Sequence, residues 1–97
     1  MIHHIVCVRF KPGTSVEQID AAGAALERLP AGIPEIRSVR WGLNPAPSTG
    51  EYSHVLTVAL DDMAAVERYL AHPDHQAIVN EHLAPIREAR LALDIEA

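Results

Sequence analysis

The chain has 97 residues, 48% of them hydrophobic, which fits a single small domain over residues 1–97 and leaves no length for a second. Its formal charge of −5, with eight Lys and Arg scattered along the chain, offers no basic stripe to neutralise a phosphate backbone and argues against nucleic acid as a partner. No segment approaches the roughly 20 apolar residues needed to cross a bilayer, no signal peptide is readable, and the single Cys7 in an apolar run reads as a small hydrophobe, so the expectation is a protein of the reducing cytoplasm without a membrane partner.

From Ile2 to Phe10 the residues alternate, with Ile2, His4, Val6, Val8 and Phe10 on one side and His3, Ile5, Cys7 and Arg9 on the other, which predicts a strand with one apolar face. Lys11-Pro12-Gly13 ends it, and Ser15-Val16-Glu17-Gln18 has the spacing of a capping box that opens a helix. Val16, Ile19, Ala22, Leu26 and Leu29 recur at helical spacing up to Pro30, although Gly23 in their midst costs about 1 kcal/mol relative to Ala. Ile36 to Gly42 reads as a second strand, followed by loop chemistry from Asn44 to Gly50. Tyr52 to Leu60 alternates again and predicts a third strand. Asp61 or Asp62 then caps a helix whose buried side is Met63, Val66, Tyr69 and Leu70 and which stops at His72, before a proline. Pro73 opens a further helix with the stripe His75, Ile78, Val79, His82 and Ile86, disturbed at Pro85, and Leu91, Leu93 and Ile95 mark a last strand.

The order β, α, β, β, α, short helix, β is the split βαβ arrangement, so the predicted fold class is α+β: a ferredoxin-like, four-stranded antiparallel sheet with helices on one face. Ile5, Cys7, Val55, Thr57, Ala59 and Ala92 then fall on the uncovered face, which is too apolar to leave in water. A second copy laid against it gives a homodimer, a dimeric α/β barrel, and the small core of so short a chain favours the same outcome.

Six histidines are the unusual feature of the composition. His4 and His54 sit in mid-strand on the parity that faces the helices, His75 opens the stripe of the last helix, and Tyr69 lies near the end of the helix before it. His75, Tyr69 and His4 are the catalytic candidates, because an imidazole in apolar surroundings stays neutral and suits a general base near neutral pH. His54 and His72 are candidate substrate contacts. Against this stands the structural reading, in which a histidine on an apolar face is hydrogen-bonded to backbone and only packs. His72-Pro73-Asp74-His75 offers two imidazoles and a carboxylate, but the proline breaks helical spacing and no further ligand clusters with them, so no metal is assigned. No glycine-rich phosphate loop and no serine nucleophile elbow is present, so no cofactor is expected.

The opening Ile2-His3-His4-Ile5-Val6 with Arg9-Phe10-Lys11-Pro12-Gly13, the Tyr52-Ser53-His54 start of the third strand, and Tyr69-Leu70-Ala71-His72-Pro73-Asp74-His75 with Leu83-Ala84-Pro85 resemble the stress-responsive dimeric α/β-barrel (Dabb) family over nearly the whole chain. The resemblance implies the fold and the dimer already inferred. It also implies a comparison with a plant tetraketide cyclase of that family, a cofactor-free enzyme that closes its substrate by an aldol reaction. Its histidine base is similar to His75, its assisting tyrosine to Tyr69 and its first-strand histidine to His4, whereas Leu26, by this alignment a third candidate substrate contact, stands where it has a second pocket tyrosine. Three functions follow as expectations. They are acid-base catalysis on a small carbonyl or polyketide-like or aromatic metabolite, a non-catalytic stress-related or ligand-binding dimer, and, by analogy of fold alone, a cofactor-free oxygenase.

Overall fold

A computed structural model describes residues 1–46 and 50–97; of the loop predicted over 44–50, residues 47–49 lie outside the described residues. The elements are β1 (Ile2–Phe10), α1 (Val16–Glu27), a 3-10 turn (Leu29–Ala31), β2 (Ser38–Leu43), β3 (His54–Leu60), α2 (Met63–Ala71), α3 (Pro73–Ile78), a π-helical turn (Val79–Leu83) and β4 (Arg87–Glu96). The strands form one antiparallel sheet in the order β2-β3-β1-β4, with the helices on one face. The fold is therefore α+β and ferredoxin-like.

Local chemistry sets the element starts. At α1 the Gln18 amide donates to Ser15 Oγ at 3.1 Å while the Ser15 amide donates to Gln18 Oε1 at 2.9 Å, closing the capping box. Asp62, not Asp61, caps α2 by accepting from the Ala65 amide at 2.8 Å. Asp61 instead takes a bidentate ion pair from Arg37, at 2.9 and 2.7 Å. Gly23 has a packing reason: a Cβ there would overlap the indole of Trp41, so the missing side chain lets α1 settle onto β2. The core between helices and sheet holds Ile2, Val8, Leu26, Leu56, Val58, Leu60, Val66 and Tyr69, all nearly inaccessible to solvent.

Four expectations about faces and boundaries are corrected. Leu91, Leu93 and Ile95 do not face the helices, because they pair with Cys7, Ile5 and His3 and lie on the open face, 51%, 41% and 49% exposed. Ala92 and Asp94, opposite Val6 and His4, take the helix side. A strand with both faces part-apolar carries too weak an alternation to fix its own phase. Met63, Leu70 and Val16 are exposed, and Ala65, Val66 and Tyr69 form the buried side of α2. The stripe of the last helix loses its phase at the π-turn, where the Ala84 amide bonds the Val79 carbonyl at 2.8 Å; the wider turn sends Leu83 into the core in place of His82. Finally, β2 and β3 begin two residues later than predicted and β4 begins at Arg87.

Candidate active site

A cavity of about 310 Å³ opens between the sheet and the last helices. Its apolar walls are Val6, Leu26, Leu56, Leu70, Val79 and Leu83, and its polar groups are His4, Tyr69, His75, Arg87 and Arg90.

Each polar group is placed by a local feature of the chain. Pro73 holds His72 in an extended conformation (φ −64°, ψ 136°), which ends α2 and tilts α3 against it. The tilt packs the His75 ring against the Tyr69 ring, with centroids 4.6 Å apart, and lets His75 Nδ1 reach the Leu70 carbonyl at 3.1 Å. A carbonyl only accepts, so Nδ1 carries the hydrogen and Nε2 keeps its lone pair. Burial pushes the His75 pKa below its ordinary value, against a smaller upward pull from the Leu70 carbonyl, and the neighbouring His4, Arg90 and His72 push it the same way as burial. The neutral form of His75 is thus favoured, with Nε2 as its basic nitrogen.

His4 on β1 lies directly across from Asp94 on β4, and the register makes them a cross-strand pair. Their side chains meet at 2.7 Å between Nδ1 and Oδ1, with the His4 ring almost fully buried and the Asp94 side chain 30% exposed. The carboxylate again fixes hydrogen on Nδ1 and frees Nε2, the orientation device seen wherever an imidazole is held for work.

Tyr69 lies between the two imidazoles, its ring edge-on to His4 at 6.0 Å. Its residue is wholly inaccessible to solvent, and its hydroxyl has no hydrogen-bond partner among the described residues. A buried hydroxyl without a partner costs about 1–3 kcal/mol, a cost a purely structural tyrosine avoids. Burial also drives its pKa well above the ordinary 10.0, so the group is a committed donor at any physiological pH.

The structure brings His4, Tyr69, His75 and Leu26 to one cavity. Leu26 is an apolar wall, 1% exposed, and it bounds the space with no polar group of its own. Two predicted substrate contacts lie elsewhere. His54 stacks on Trp41 (centroids 5.3 Å, 23°), touches Phe10 edge-on and hydrogen-bonds Ser53 Oγ at 2.8 Å; burial lowers its pKa, partly offset by Asp20. His72 caps α3, its Nδ1 accepting from the Asp74 amide at 3.0 Å. Neither lines the cavity, because their places in the local backbone are taken up by packing and capping. Among the described residues, no group of three His, Cys, Asp or Glu side chains is arranged to hold a metal ion, and no helix is long and apolar enough to cross a membrane.

Sequence reasoning missed Asp94, Arg87 and Arg90. Asp94 was legible only once the β1–β4 register was known. The arginines stand three apart on a strand, a spacing that ordinarily puts side chains on opposite faces. The pairing shifts between Arg9 and Phe10: Ala89 lies opposite Arg9 and Arg87 opposite Phe10, so Glu88 is an extra residue, a β-bulge.

The family model described as stress responsive A/B barrel domain (Dabb) matches residues 2–97. An uncharacterized protein of Streptomyces coelicolor is 31% identical over 81 residues, covering 79% of this chain and 81% of its own. A dimeric protein of ferredoxin-like fold from Bacteroides fragilis superposes with a TM-score of 0.85 at 31% identity, over 99% of this chain and 95% of its own. A hydroxynitrile lyase from Passiflora edulis shares the fold, with a TM-score of 0.86 at 23% identity, over 97% of this chain and 90% of its own.

Proposed function

The chain belongs to the stress responsive A/B barrel domain family, and from that premise we propose that it is a homodimeric acid-base enzyme that closes a small polyketo compound by an aldol reaction, with no cofactor in the chemistry. The observation that carries the reading is the orphaned Tyr69 hydroxyl, buried at the cavity between two imidazoles whose Nε2 atoms are both free.

The roles follow from protonation state. Neutral His75 takes a proton from a carbon next to a carbonyl through Nε2, and the electron pair moves onto that carbonyl oxygen. Tyr69 donates its hydrogen bond to the resulting enolate, a charge that develops only as the reaction proceeds. The enolate carbon attacks a second carbonyl of the same molecule, and the alkoxide so formed recovers the proton from the His75 imidazolium. His4, whose Nδ1 donates to Asp94, orients the substrate by accepting at Nε2 a hydrogen bond from an enol hydroxyl of the polyketo chain. The apolar walls exclude water and keep these interactions strong. The same fold houses a lyase in Passiflora edulis, so the scaffold is compatible with chemistry of this class.

The dimer is supported by the open sheet face. Leu91, Leu93 and Ile95 stand exposed there beside half-buried Ile5, Cys7 and Val55, and the Bacteroides fragilis relative is dimeric.

The test is turnover of poly-β-keto acids, followed by the absorbance of a cyclised product, in wild type and His75→Ala with melting temperatures measured alongside. Loss of turnover at a melting temperature close to wild type is expected. Equal turnover in the variant removes His75 as the base. A fall of several degrees with no turnover by wild type favours the non-catalytic reading, in which the ring only pins α3 to α2.

A further inference from the structure

The charges at the cavity are one-sided. Its charged lining consists of Arg87, half-buried, and Arg90, at the rim, and no acidic side chain lines it among the described residues. The chain as a whole carries −5, so this concentration runs against its composition. Arg9, Arg37 and Arg68 each have a carboxylate, from Glu88, Asp61 and Glu35. Arg87 and Arg90 have none, and neither makes a side-chain hydrogen bond among the described residues.

The backbone sets this pairing. The Glu88 bulge sends that residue to the open side, where it meets Arg9 at 3.1 Å, and brings Arg87 onto the cavity side with Arg90. Bulges recur beside functional sites because they re-aim a side chain in this way. Burial and the Arg90 charge both work against the Arg87 cation, and the same Arg90 charge reaches His75. Two like charges gathered without a counter-ion, over an apolar cavity, favour an anion that supplies both the charge and the acceptors.

We infer that the Arg87–Arg90 pair at the cavity mouth, set side by side by the Glu88 bulge, selects a carboxylate-bearing ligand whose apolar body fills the cavity. A carboxylate is assigned over a phosphate because a single negative charge costs less to desolvate beside the apolar walls than a dianion, while the arginine fork matches the oxygens of either. The inference deepens the acid-base reading by naming the substrate as a carbonyl acid rather than a neutral ketone; as a statement about binding it stands apart from His75.

The test is calorimetric titration with three probes of one body: 4-butylbenzoate, 4-butylbenzamide and 4-butylphenyl phosphate, against wild type and the Arg87→Gln/Arg90→Gln double variant. Wild type is expected to bind the benzoate about tenfold more tightly than the benzamide, a preference that shrinks at high salt and disappears in the variant while the benzamide affinity stays unchanged. Equal binding of benzoate and benzamide by wild type, binding of neither, or a preference that survives in the variant overturns the proposal. Tighter binding of the phosphate than of the benzoate overturns the carboxylate assignment. The wild-type comparison of charged and neutral probes needs no substitution, so a double variant that fails to fold leaves the decision intact. His75→Ala is titrated in parallel. If it keeps the benzoate preference while wild type shows no turnover, the acid-base reading fails and the anion site stands; a lost preference in wild type with turnover intact has the opposite meaning.

Discussion

Removing the Tyr69 hydroxyl separates a catalytic tyrosine from a packing one by the sign of its effect on stability. Tyr69→Phe keeps the ring, its contact with His75 at 4.6 Å and its edge-on contact with His4 at 6.0 Å, and deletes only an oxygen that is buried without a partner. Leaving such a group unsatisfied costs about 1–3 kcal/mol, so the gain on deletion is taken at the low end, about 1 kcal/mol. For a domain of this length that corresponds to a melting temperature higher by about 4–8 °C, readable by differential scanning calorimetry of the ligand-free protein. Turnover moves the other way: a donor aimed at a developing oxyanion is worth about 10²–10³ in rate, with the loss falling on kcat. Higher stability with lower activity is what a group held for a transition state produces. A variant that melts lower than wild type by more than about 4 °C refutes the reasoning, since the hydroxyl must then have a stabilising partner in the native protein.

Asp94→Asn keeps the size of the side chain but removes the charge that orients His4; kcat is expected to fall about 10–100-fold with the fold intact, checked by steady-state kinetics beside circular dichroism. Gly23→Ala gains helix propensity worth about 1 kcal/mol yet drives a methyl into the Trp41 indole at a cost of about 1–3 kcal/mol, so denaturant unfolding is expected to show a net loss of up to about 2 kcal/mol. His75 has a pKa depressed below 6.5, chiefly by burial, so the folded state binds fewer protons than the unfolded one as pH falls through 6.5. Stability is therefore fully present above that value and is lost on acidification, and the acid limb of kcat/KM, set by the same base, has its midpoint below 6.5; thermal melts and rates from pH 5 to 8 check both. Leu93→Glu puts a charge at the middle of the exposed apolar stripe of β4, and sedimentation is expected to show monomers where wild type gives dimers.

What the sequence made legible and what it hid divide along one physical line. The helix starts were readable because capping is local: Ser15 with Gln18 and Asp62 with Ala65 satisfy their own neighbourhood, and no distant contact is needed to predict them. The split βαβ order follows from two periods alternating along the chain, and that order alone brings His4, Tyr69 and His75 toward one region. Errors began where one strand had to be phased against another. Leu91, Leu93 and Ile95 looked like a core face because they are apolar, and the same apolar character serves equally well to face a second copy.

That ambiguity at β4 also concealed half of the candidate site. Placing Leu91, Leu93 and Ile95 toward the helices turns Asp94 away from His4 and leaves the arginines without a common face. The observed register does the reverse: it sets Asp94 against His4 and, through the Glu88 bulge, sets Arg87 beside Arg90. The last strand thus has two apolar-or-polar faces with separate tasks. Its odd-numbered residues from 91 to 95 present an apolar stripe outward, while Arg87 and Arg90 supply charge at the cavity and Asp94 supplies it behind His4. A register slip of one residue would exchange those faces, leaving His4 with no carboxylate opposite it and turning the arginines away from the cavity. The bulge between Arg9 and Phe10 pins the register at one end, and the pairing of Ile2 with Glu96 holds it at the other. Dimerisation, if it covers the outward stripe, stabilises that same register, so association of two copies and assembly of the cavity are coupled through one strand.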